Sequence, residues 1–254
     1  MENFIIPILQ TANEILASAT VIMAVSLLLY NLTRNLRNRV SRTSGIVLAC
    51  VTWAYTCDVF LSLNPSLEIA ALTLRLQWLG LAFIPAAMFH LSDALLTLTG
   101  RFSRGRRRRI IRIFYLTSTV FFLAALFSDA LIVPVIAENR ASLQATTLFP
   151  LYIIYFIGTN ITAVINVQRA RQRCLTGSTR RRMAYLQFAI LTPAIAIFPY
   201  SVLLPAGGAF TLPALLLVNT ANIIVVAMLI FLSYPLSFFG SDRPDRVVKV
   251  ELLR

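Results

Sequence analysis

GRFSRGRRRRIIR, residues 100–112, holds seven arginines in thirteen positions. The whole chain carries a formal net charge of +13. Such a run belongs either to a nucleic-acid-binding arm or to a basic loop of a membrane protein. The flanks decide between them. FIPAAMFHLSDALLTLT (83–99) lies before the run and IFYLTSTVFFLAALF (113–127) follows it. Both are apolar, and the short run between them has no room for a recognition fold.

The rest of the chain resembles these flanks. Of its 254 residues, 58% are hydrophobic and 13% are charged, and the mean hydropathy is +0.77. A soluble domain has about 45–50% apolar and about 25% charged residues. So much apolar surface could not be hidden in a soluble fold, whereas a bilayer accepts it. A helix needs about 20 apolar residues to cross the hydrocarbon core. Seven blocks reach that length: 11–32, 45–63, 74–99, 113–133, 149–168, 184–204 and 213–233. None alternates as a membrane β-strand would. The first block has no small-residue cleavage site after it and reads as a retained helix. The expectation is an all-α membrane protein. Residues 1–240 form a seven-transmembrane helix bundle, and 241–254 begin a cytoplasmic connecting segment.

The basic residues then sort by side. Arg34, Arg37, Arg39 and Arg42 follow helix 1, and the quoted run follows helix 3. Arg169, Arg171, Arg173, Arg180, Arg181 and Arg182 follow helix 5, and Arg243, Arg246, Lys249 and Arg254 follow helix 7. Of the 23 basic residues only Arg75 and Arg140 fall on the other side. The positive-inside rule places the N-terminus outside and the C-terminus in the cytoplasm. The arginines are expected to lie against anionic lipid headgroups. Arg101, Arg104, Arg106, Arg107, Arg108, Arg109, Arg180, Arg181 and Arg182 are the lipid-facing candidates. No nucleic-acid partner is implied.

Cys50 and Cys57 stand two turns apart on one helix, about 10 Å along its axis, too far for a disulfide. Cys174 lies in a basic loop. Pro85, Pro193 and Pro199 fall inside blocks, where proline removes a backbone hydrogen bond and favours a kink. All three are candidate hinges, and helix 6, with two of them, is expected to be the most irregular element. PAGGAF (205–210) reads as a tight outer turn.

Ionisable groups at membrane depth are costly and mark function or pairing. Asp58 lies near the outer end of helix 2, within reach of Arg75 across the short connection. His90 and Asp93 share a face of helix 3 at i and i+3. They suit a proton-sensing pair or ligand contacts, but the favoured reading is hydrogen bonds tying helix 3 to its neighbours, since a few buried polar contacts are ordinary in bundles. Asn160, Asn219 and Asn222 suit interhelical hydrogen bonds. The only lysine, Lys249, lies outside the membrane, which excludes a retinal Schiff base. One histidine excludes a multi-histidine metal centre or bis-histidine haem. No metal or cofactor is implied. The absence of HExxH, GxSxG and P-loop sequences points away from an enzyme.

LQWLGLAFIPAAMFHLSDALLTLTG (76–100) resembles the third helix of the seven-transmembrane sensor module at the N-terminus of bacterial histidine kinases and related GAF- or PAS-linked signalling proteins. Trp78, Gly80, Pro85, Phe89, Thr99 and Gly100 carry the likeness. SYPLSFFGSDRPDRVVKVELLR (233–254) is similar to that module's exit from helix 7, with Tyr234 and Leu236 starting the segment. The resemblance implies a sensory input domain of two-component signalling in a bacterial cytoplasmic membrane. It would pass a stimulus through helix 7 to an effector in a downstream module or partner, and a homodimer would be natural for it. The alternatives are an accessory subunit of a membrane complex and a small-solute transporter.

Overall fold

A computed structural model describes residues 2–34, 39–99, 105–137, 140–174, 177–204 and 211–239. Among them are seven α-helices. These are α1 (Glu2–Arg34), α2 (Arg39–Ser62), α3 (Leu67–Leu98), α4 (Gly105–Phe127), α5 (Phe149–Gln172), α6 (Gly177–Ala196) and α7 (Leu212–Phe239). Six are long and apolar enough to cross a membrane, α6 being the exception. The chain is a membrane-embedded helical bundle.

Every helix but α5 begins ahead of its hydropathic block, most visibly at the arginine run, whereas α4 and α6 end short of theirs, at Phe127 and Ala196 rather than 133 and 204. α4 starts at Gly105 rather than 113, so Arg106–Arg109 form its first turns. Arginine is a good helix former, and its long stem carries the guanidinium to water or headgroups. A hydropathy window therefore stops before the helix does. The same holds for Arg39, the first residue of α2. α7 runs on to Phe239, past the expected exit at Tyr234.

α1, α2, α3, α5, α6 and α7 pack in sequence around a ring, which closes where α7 meets α1. α4 sits outside the ring on α3. α3 is the structural centre: 83% of its most apolar window is buried, against 22% for α1 and α4. Its contact with α2 is close because residue 80 is glycine. A Cβ there would stand 2.5 Å from the Cys50 carbonyl oxygen. Large apolar side chains on the outer faces, such as Ile15, Ile22, Leu116 and Ile154, stay exposed to meet lipid.

Pro85 does not break α3. Its missing N–H leaves the Leu81 carbonyl without the usual i+4 donor. Tyr152 of α5 supplies the donor, its Oη bonding Leu81 O at 3.0 Å. Pro193 lies within α6. Pro199 does not lie in a helix, because α6 ends at Ala196 and a short 3-10 turn follows at Tyr200–Leu203. The expected intrahelical hinge at Pro199 is thus an irregular segment beyond the helix end.

The α4–α5 connection holds an unforeseen β-hairpin. β1 (Ile132–Ala137) pairs antiparallel with β2 (Arg140–Ala145), with Ile132 opposite Ala145. The hairpin packs on α3 and on the 3-10 turn. It marks one end of the bundle, here the hairpin end. The opposite, arginine end carries the starts of α2 and α4 and the α5–α6 junction.

Candidate functional site

Polar side chains gather at both ends. At the arginine end, Asp93 near the foot of α3 has a fully buried side chain. Arg39 of α2 donates to its Oδ2 at 2.7 Å and Arg107 of α4 to its Oδ1 at 3.0 Å. Arg39 also reaches Thr97 Oγ1 at 3.3 Å. A buried carboxylate is tolerable only when paired and hydrogen-bonded, and two guanidiniums from two neighbouring helices meet that need. Arg107 is therefore drawn inward to Asp93 and is not lipid-facing. Arg106, Arg108, Arg109, Arg180 and Arg181 are exposed, and Arg182 is half-buried. Arg101 and Arg104 lie outside the described residues, as does the segment 241–254.

His90 does not pair with Asp93. Its Nδ1 lies 3.3 Å from Tyr115 Oη on α4, with the two rings edge to face. Both residues tie α3 to its neighbours, His90 to α4 and Asp93 to α2 and α4.

The expected pair Asp58–Arg75 is absent. Arg75 turns to α4, bonding the Ala125 carbonyl at 3.0 Å and pairing with Asp129. Asp58 accepts instead from Gln77 Nε2 at 2.6 Å. Residues two apart point to different sides of a helix, so Gln77, rather than Arg75, faces α2.

Asp58 belongs to the wall of a cavity of about 860 Å3 at the hairpin end. The wall is built from α1, α2, α3, α7, β2 and the segment after α6. At that segment Pro199 interrupts the backbone pattern, and Phe198, Pro199, Tyr200 and Val202 line the space. Non-helical backbone at membrane depth is tolerated where it is buried in protein or lines a cavity, and here it does the latter. Trp78, fully buried on α3, is also in the wall. Its ring stacks edge-on against Tyr152 with centroids 4.9 Å apart. The Trp78 indole N–H has no acceptor among the described residues.

Asn222 joins the cavity's helices. From α7 it donates to Asn13 Oδ1 on α1 at 2.7 Å and accepts from Tyr55 Oη on α2 at 2.9 Å. One turn away, Asn219 donates to the Leu9 carbonyl of α1 at 3.0 Å and to Leu215 O of its own helix. Both fulfil the expected interhelical role. Asn160 does not: its Nδ2 bonds Phe156 O within α5, and its buried Oδ1 has no donor among the described residues.

Asn13, Glu14, Tyr55 and Gln77 are cavity residues that sequence reasoning passed over. Tyrosine, asparagine and glutamine are ordinary in membrane helices, and only the fold brings these to one place. Neither a protein-family model nor a curated protein matches this sequence.

Proposed function

We propose that this chain is the membrane-embedded input domain of a bacterial signalling protein. In this reading seven spans cross the cytoplasmic membrane, with the hairpin end outside and the arginine end in the cytoplasm. A stimulus enters the hairpin-end cavity and biases α7, and α7 carries the change to a cytoplasmic effector.

The observation that supports this most is Asn222. It sits on α7 in the cavity wall and bonds α1 and α2 directly. An occupant of the cavity competes with these bonds or reinforces them, and either outcome shifts α7 against α1 and α2. A ligand can bias a two-state element only through such differential contacts. The basic residues concentrated at the opposite end support the orientation.

The test joins a histidine-kinase catalytic module in frame after Arg254. Asn222→Leu or Tyr55→Phe is expected to change basal output several-fold, while Leu116→Ala on the lipid face leaves it unchanged. Unchanged output in both cavity variants, at equal membrane abundance, rejects the sensory reading. Stable co-purification with a larger assembly would then favour the accessory-subunit role.

The polar cavity also fits transport. That reading requires solute flux in liposomes containing the purified chain, reduced by Asp58→Asn.

A further inference from the structure

Three aspartates lie in or beside the helices of the described bundle, and their surroundings differ. Asp93 holds two guanidiniums and Asp129 pairs with Arg75. Asp58 has one partner among the described residues, the neutral amide of Gln77. A carboxylate at membrane depth usually finds a cation. In a chain of net charge +13, an aspartate that receives none is conspicuous.

The surrounding cavity strengthens the contrast. Among the described residues its wall contains two carboxylates, Glu14 and Asp58, and no lysine, arginine or histidine. Aromatic rings from Tyr55, Trp78, Phe198 and Tyr200 complete it. Carboxylates with aromatic faces are the chemistry that holds ammonium groups. An anionic ligand would find no positive side chain. No three His, Cys, Asp or Glu side chains gather among the described residues, so the wall offers no cluster of the usual transition-metal ligands. The volume, about 860 Å3, falls in the range of small-molecule sites.

We propose that the hairpin-end cavity is a binding site for a small organic cation, an alkylammonium group held by Asp58 and Glu14 among the aromatic rings. This rests on the reading of the cavity as the stimulus site and names the chemical class it takes.

The experiment uses the full chain in nanodiscs of zwitterionic lipid and measures equilibrium binding of radiolabelled choline at fixed ionic strength. The competitor is 3,3-dimethylbutan-1-ol, which has the same shape without the charge. Saturable choline binding is expected, with the neutral alcohol competing at least about tenfold more weakly. Asp58→Asn weakens choline at least about tenfold and Glu14→Gln about threefold, while Thr162→Val on the far face of α5 leaves it unchanged. Glu14 is exposed, so its variant keeps the test decisive if Asp58→Asn does not fold. Three results overturn the proposal: no saturable binding by the folded chain, equal competition by the alcohol, or full choline affinity in the carboxylate variants that fold.

Binding is read here without any signalling output. Choline binding that leaves the kinase fusion unaffected would remove the sensory reading and keep the site. Output that responds to Asn222→Leu without any choline binding would do the opposite.

Discussion

Asp93 is held by two guanidiniums from helices on either side of α3, so the foot of three helices depends on one carboxylate. Removing one partner of a buried ion pair costs about 3–5 kcal/mol. Arg39 and Arg107 keep 31% and 19% of their side chains exposed, and solvent reduces the cost. Asp93→Asn is expected to destabilise the bundle by about 2 kcal/mol, read as a lower midpoint in detergent unfolding. An unchanged midpoint would show that the pairs contribute no net stability. At this scale the sequence was half informative. Asp58, His90, Asp93 and Asn222 stand out because polar groups are rare in apolar blocks. Their partners do not stand out, because a partner is chosen by the helix face it occupies. Arg75 and Gln77 are two residues apart, and the helix sends them to different neighbours.

At the scale of elements, α3 stays continuous through Pro85 because α5 covers the lost bond. An orphaned buried carbonyl costs about 1–3 kcal/mol. Tyr152→Phe is therefore expected to destabilise by about that amount in the native background and by less in Pro85→Ala, which restores a backbone donor to Leu81. A double-mutant cycle in the same unfolding assay checks it, and additive effects would contradict the coupling. The helices themselves were legible because twenty-residue apolar blocks admit few other structures. Their ends were not, since arginine is polar on a hydropathy scale yet continues a helix readily, as in the first turns of α4. The hairpin was missed because two strands of six residues, one holding Pro134, give no alternation long enough to register.

For the whole molecule, the ring of six helices with α4 outside it fixes which connections share a face. In a chain with Cys50, Cys57 and Cys174 replaced by serine, Thr147→Cys and Leu203→Cys are expected to react with an impermeant maleimide from outside the cell. Arg173→Cys is expected to react only after permeabilisation. The reverse pattern would invert the orientation, and labelling of Leu203→Cys together with Arg173→Cys would mean that α6 does not cross. Ring order could not be read from sequence, because block lengths do not say which helices touch.

The closure of that ring has a consequence for biogenesis. Asn219 bonds Leu9, and Asn222 bonds Asn13, across separations of 210 and 209 residues. Within this bundle α1 thus waits for α7, made some two hundred residues later. Until α7 enters the bilayer, Asn13 and Tyr55 lack the partner that α7 brings them. The cavity wall is completed only when α7 arrives, and a bundle lacking α7 would leave these polar groups without the bonds that make them tolerable beside lipid.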